Sequence, residues 1–250
     1  MKRGIAIGLT AAVVVAAAGI WFVFFRDDAP PELSLDDAVA AITATTGAAS
    51  GEGDSTTTSP PVTDAPTNST PPDATGLDGS WTVDQANTTV GYRIGEELSG
   101  IGASEAVGRT SQVSGSLTLN GSVIEAVAIE VDMTTLESDS GSRDDQLRTR
   151  GLETSSFPTA TFVLTNAVDL GVVPGEGETV SVVASGDLTL HGVTRSVEIP
   201  LDGTMVEGVI VVVGSLDIAL ADYDIEPPTG FRVLSIKDEG VFEVQLAFTR

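Results

Sequence analysis

The chain has 250 residues, no cysteine and a single histidine, and its 36 acidic against 12 basic residues give a formal charge of −24. Without cysteine there are no disulfides, thiolate metal sites, cysteine nucleophiles or lipid-modified cysteine. So negative a surface repels phosphate backbones and argues against nucleic acid as a partner.

In residues 1–25, Lys2 and Arg3 precede 22 uncharged residues, Gly4 to Phe25. As a helix these span about 33 Å, enough to cross a bilayer core. The segment reads as a transmembrane helix or signal anchor, with its basic end inside and the C-terminal part extracytoplasmic. The competing reading is a signal peptide cleaved near Ala16 to Ala18, which makes the product secreted.

Residues 26–78 read as a Pro/Thr/Ser-rich linker. Within it SLDDAVAAI offers a short helix, with Ser34 as cap, Asp36 and Asp37 in the first turn, and Leu35, Val39 and Ile42 near helical spacing. From Thr43 to Asp78 the composition predicts an extended tether, too poor in large apolar residues to offset its ordering entropy. Asn68, Asn87 and Asn120 stand in the short glycosylation pattern, a weak signal.

Residues 79–250 carry 26 acidic and 9 basic residues, a balance of −17, and about 170 residues suffice to fold without staples. From Trp81 onward the apolar positions follow a period of two. Val90, Tyr92 and Ile94 share a face, as do Val127, Ile129, Val131 and Met133, then Phe162 with Leu164, and Val180, Val182, Leu188 and Leu190. The closing run is the clearest, with Phe242, Val244, Leu246 and Phe248 on one face and Glu243, Gln245, Ala247 and Thr249 on the other. Further strands are expected near Gln112 to Leu119, Val193 to Leu201 and Val206 to Leu220. The polar stretch Ser140 to Pro158 interrupts them as a short helix or two turns across one end of the sheet, ended by Pro158. The fold class is all-β: an antiparallel up-and-down barrel of about eight strands with a short helical insertion. A barrel of that size either fills with side chains or holds one small ligand.

Seven motifs in order, WTVDQANTTVGYRI, VGRTSQVSG, VDMTTLESD, RDDQLR, FPTATF, GDLTLHGVTRSV and VFEVQLAFTR, resemble the YceI-like family of lipocalin-like, polyisoprenoid-binding proteins. The resemblance spans about Gly79 to Arg250. It implies a lipocalin-like barrel enclosing an apolar tunnel for a long isoprenoid chain, in exported bacterial proteins, with no established catalytic activity and no cofactor. Members often carry one histidine shortly after the strand matching VGYRI and another within the segment matching RDDQLR. Here those places read Gly95 to Glu97 and Gln146.

The inward parity makes Tyr92, Ile94, Phe162, Leu164, Leu188, Leu190, Phe242 and Val244 the expected ligand-binding wall. Arg143, Asp144, Arg148 and Arg150 concentrate charge in the helical insertion. Arg143 and Arg148 could hold a lipid headgroup through charge-assisted bonds; alternatively Asp144 and Arg148 merely pair at i, i+4 on a surface helix. Asp222, Asp224 and Glu226 could take a hard cation, but their spacing is that of a solvated loop.

His191 sits between two strand-like runs. With Gly192 it reads as a two-residue hairpin tip, since both tolerate positive φ, and neither a second metal ligand nor a nucleophile elbow accompanies it. No catalytic or metal residue is therefore assigned. The leading expectation is a membrane-tethered carrier of an isoprenoid-type lipid, a quinone or a polyprenyl phosphate. The alternatives are a surface interaction domain with a packed interior and, less favoured, a hydrolase or isomerase using a carboxylate pair.

Overall fold

The period-two alternation is realised as a single antiparallel sheet that closes on itself. The computed structural model describes residues 29–49, 77–228 and 233–250. The predicted anchor at 1–25 and linker residues 50–76 lie outside them. Among the described residues no helix is long and apolar enough to cross a membrane.

The strands are β1 (Gly79–Val83), β2 (Thr89–Leu98), β3 (Gly102–Thr110), β4 (Val113–Asn120), β5 (Val123–Asp132), β6 (Glu137–Ser138), β7 (Thr159–Leu164), β8 (Val168–Asp169), β9 (Val180–Leu190), β10 (Val193–Val206), β11 (Val209–Ala219) and β12 (Val233–Thr249). Eight of them form the closed ring, in the order β1-β4-β5-β7-β9-β10-β11-β12, with β12 returning to β1. The expected strand number and antiparallel pairing are thus both present. Strands β2 and β3 extend the wall: β2 pairs with the first part of β12, and Val83 of β1 with Phe248 near its end.

The extension arises from two breaks. Asp84 interrupts the first long strand by capping a 3-10 turn, Gln85–Asn87, its carboxylate accepting from the Ala86 amide at 3.0 Å. Ser111 and Gln112 interrupt the second. Asn87, in one of the glycosylation patterns, donates its side-chain amide to Asp84 at 2.6 Å, so this turn already engages it.

Two glycines explain how rings fit inside. Tyr92 faces Gly108 across the β2–β3 ladder, and a Cβ there would stand 2.3 Å from the ring. Gly186 on β9 likewise underlies Phe162, at 2.4 Å from its ring. A glycine inside a strand marks such a close approach.

Helix α1 (Leu35–Ala49) packs on the outside of the barrel, burying Ala38 and Ile42 against Val211 and Val213. Ser34 caps it as expected, accepting from the Asp37 amide at 3.2 Å and donating to the Asp37 carboxylate at 2.7 Å. The helix runs past Ile42 into residues expected to be tether. There Thr43 and Thr45 donate their hydroxyls to the carbonyls four residues back, so their side chains are satisfied within the helix.

The outer face also differs from the expected polar surface. Glu243 is 3% exposed and Arg93 6%. Arg93 Nε donates to one Glu243 oxygen at 3.2 Å, Arg109 Nη2 to the other at 3.1 Å, and Arg93 also bonds Glu105. This charged ladder joins β2, β3 and β12, and each carboxylate meets a guanidinium, the condition for burying it.

Candidate ligand-binding site

Inside the barrel are two adjoining cavities. The lower, of about 140 Å³, is lined almost wholly by apolar side chains from all around the ring, among them Leu117, Ile129, Phe162, Leu164, Leu188, Val244 and Leu246. An apolar void of that size stays dry. The upper, of about 450 Å³, lies between β2, the start of β12, the loop Leu220 to Pro228 and helix α2 (Gly141–Thr149). Val90, Val131 and Phe242 line both and form the waist between them. The larger volume is within the range of sites for small molecules.

All eight residues of the expected wall face these cavities. Phe162, Leu164, Leu188 and Val244 line the lower one, Tyr92, Ile94 and Leu190 the upper one, and Phe242 both. The alternation placed them because strand parity alone decides which side of a barrel a residue faces.

The two arginines separate. Arg143 lines the upper cavity and its Nη2 donates to Glu96 Oε1 at 2.6 Å, while Nη1 bonds the Asp139 carboxylate and the Ser138 hydroxyl, the latter at 3.2 Å. Arg148 instead points away, largely exposed, and pairs with Asp145 at 2.6 Å. The expected Asp144–Arg148 pair is absent, because Asp144 turns inward. It is buried and accepts from the Ser138 amide at 3.1 Å and hydroxyl at 2.7 Å.

Sequence reading missed Glu96, whose side chain is 3% exposed beside Arg143. Its position continues the Val90, Tyr92, Ile94 parity, so the signal was present. It went unused because a carboxylate in an apolar series reads as the end of the strand. Ser138 and Asp139 carry no such signal, since it is the pairing of β6 with β3, Ser138 opposite Gly108, that brings them to the site.

The Tyr92 hydroxyl is inaccessible to solvent and has no hydrogen-bond partner among the described residues. Burial pushes its phenol far above the ordinary value; Arg143 opposes this, and Asp144, Glu96 and Asp139 add to it. The group therefore stays protonated.

His191 and Gly192 form the expected hairpin tip: Leu190 pairs with Val193, and the two turn residues have φ of 51° and 75°. The ring does more than mark a turn. Nδ1 meets the Tyr223 carbonyl and Nε2 the Glu153 carboxylate, both at 3.0 Å, and Phe157 lies 4.3 Å away, centroid to centroid. Three segments bordering the upper cavity are thereby joined. Of the acidic loop, Asp222 is engaged with Arg195, and among the described residues no group of three His, Cys, Asp or Glu could hold a metal ion.

A family model described as the YceI-like domain matches residues 81–248. Among solved structures, the chain is similar to a polyisoprenoid binding domain from Saccharophagus degradans implicated in plant cell wall breakdown. The identity is 20% and the TM-score 0.55, over 68% of this chain and 97% of that one. It is also similar to Burkholderia cenocepacia BcnA, with 17% identity and a TM-score of 0.51, over 66% of this chain and 98% of that one. No curated protein sequence matches. At such identities the structural likeness establishes a shared fold. The family match covers the barrel from Trp81 in β1 to Phe248 in β12, where the seven sequence motifs lie, and on that ground the chain belongs to the YceI-like domain family.

Proposed function

We propose that the barrel binds a long apolar lipid of the polyisoprenoid class, isoprenoid quinones included, and sequesters or carries it outside the cytoplasmic membrane. The observation that carries this reading is the pair of adjoining cavities, with apolar walls, inside a closed barrel. An interior evolved only to pack leaves few voids larger than a water molecule. Moving an isoprenoid chain from water into such a lumen contributes about 0.8 kcal/mol for each buried methylene. Binding of this kind needs no catalytic residue. The printed description of the Saccharophagus degradans relative supports the same ligand class. The apolar residues 1–25, as a membrane anchor, would hold the carrier beside its donor membrane.

The test is solvent extraction of the purified full chain followed by mass spectrometry. An isoprenoid lipid near one per chain is expected, and Ala184→Leu, which adds bulk to the lower wall, should reduce it while the barrel stays folded by circular dichroism. A chain that carries no lipid and takes none up after delipidation would overturn the reading in favour of a packed interaction domain.

A further inference from the structure

Two large apolar side chains stand exposed at the upper end of the barrel, Ile101 at 63% and Leu234 at 60%. Ile101 sits at the tip of the β2–β3 hairpin, its amide donating to the Leu98 carbonyl at 3.2 Å. Leu234 lies beside that tip, in the bulge that follows the pairing of Val233 with Leu98. The stretches that carry them, Leu98 to Ser104 and Val233 to Ile236, contain no charge, in a domain otherwise so acidic. A tip without charge leaves water at little cost.

Single exposed apolar residues are ordinary on a protein surface. These differ in what they adjoin: Ile101, Leu98 and Val233 also line the upper cavity, so the exposed patch and the lumen share a wall. At the lower rim Val172 and Val173 are similarly exposed, but neither lines either cavity, and Asp169, Glu176 and Glu178 flank them in sequence.

Helix α1 gives the molecule the same polarity. Ala38 and Ile42 pack on Val211 and Val213, near the hairpin of Val206 and Val209 at the lower end. Glu32 to Leu35 instead border a groove with Asp217, Val241 and Glu243, which the strand register places higher. The helix therefore descends the wall, and the chain reaches it from the upper side. Residues 26–34 span about 30 Å at full extension. An anchor at residues 1–25 would hold Leu35 within that distance of a bilayer.

The patch consists of a hairpin tip and the start of one strand, too little for the roughly 800 Å² per partner of a stable protein interface. The domain's negative charge argues equally against attraction to anionic headgroups. We infer that the upper end of the barrel is a membrane-docking face, with Ile101 and Leu234 dipping into a neutral lipid surface so that an apolar ligand passes between bilayer and lumen without crossing water. The inference rests on the lipid-binding reading and adds where the ligand enters.

The chain has no cysteine, so Ile101→Cys, Leu234→Cys and Val172→Cys each accept one environment-sensitive dye. Full-length protein is reconstituted with phosphatidylcholine vesicles that carry an acyl-chain nitroxide. The dyes on the Ile101→Cys and Leu234→Cys variants should lose most of their emission and that on Val172→Cys almost none, at low and high salt alike. Delipidated full-length protein is then mixed with phosphatidylcholine vesicles holding a radiolabelled twenty-carbon isoprenoid hydrocarbon, and withdrawn at intervals to count bound label. Leu234→Asp, at a side chain outside the cavity wall, should fill about 10-fold more slowly, to the same final level. Val172→Asp, the same charge at the other end, should fill at the normal rate. Equal quenching on Val172→Cys, no quenching on the two upper variants, or an unslowed Leu234→Asp overturns docking at this face, while normal final filling leaves the lipid-binding reading standing. Shielding of the upper dyes that grows with protein concentration in the absence of vesicles overturns it in favour of a second copy of the chain. Failure of the unmodified protein to fill overturns both readings.

Discussion

The lower and upper halves of the barrel share strand β12 and follow opposite rules. Below the waist, the wall is a continuous apolar lining contributed by every strand of the ring except β1, with Leu188 and Phe248 almost wholly inaccessible. Above it, the wall is a patchwork of β2, β12, a helix and two loops, and charged groups point inward. The lesson is that one lumen can separate its tasks along its length. The lower half supplies hydrophobic burial and so does most to hold the fold together; the upper half carries polar groups whose burial must be compensated by one another, and so contributes little net stability.

Substitutions can break or sharpen that contrast. The largest effect is expected below the waist: Leu188→Ala removes a buried side chain from the ring and should cost about 2–5 kcal/mol in chemical denaturation. Above the waist, Arg143→Met leaves Glu96 buried without its cation and should cost about 1–3 kcal/mol, less than a fully buried pair because Arg143 is itself partly exposed. Adding Glu96→Leu should return much of that loss. A double variant as unstable as the single would show that the charged cluster holds the fold after all, and would dissolve the contrast.

Smaller still, His191→Asn keeps a residue tolerant of positive φ but gives up the bonds to Tyr223 and Glu153 and the contact with Phe157. About 1 kcal/mol should be lost, with the hairpin and lipid retention intact. At the lower rim, Asp169 accepts from the Gly171 amide and the Ser122 hydroxyl, and these bonds depress its pKa. Its contribution is therefore complete above the ordinary aspartate value near 3.9 and is lost as pH falls through the lower folded value. Asp169→Asn should be slightly less stable than the unmodified chain at pH 7, and acid unfolding curves of the two should converge below that range. Arg148→Ala, on the surface beside Asp145, should shift stability by less than about 0.5 kcal/mol and leave lipid retention unchanged.

The same contrast governs what was legible in the sequence. The lower wall was open to reading, since Phe162, Leu188, Val244 and Phe248 sit at alternating positions and parity is a local property. The closed barrel, the helical insertion, the His191–Gly192 turn and the family followed from residues near one another in the chain. Strand β3 escaped notice. Its sequence, Gly102–Thr110, is dominated by small residues, one of which, Gly108, accommodates the Tyr92 ring. The buried ladder of Arg93, Arg109 and Glu243 was equally hidden, for a charge on the outer parity reads as solvent-facing until the register of three strands shows its partners. The upper site was half visible: Tyr92 by parity, Glu96 by extending it, Asp139 and Ser138 only by tertiary packing.

The long strand β12 has a consequence for the order of assembly. It pairs with β2 along its first part and with β1 at its end, so one strand seals both halves of the lumen. The contact that closes the ring joins Thr82 to Thr249, which are 167 residues apart. Such a distant pairing carries a large loop-closure entropy and forms late. A hydrophobic guest that binds only the closed barrel would favour closure of both chambers by mass action.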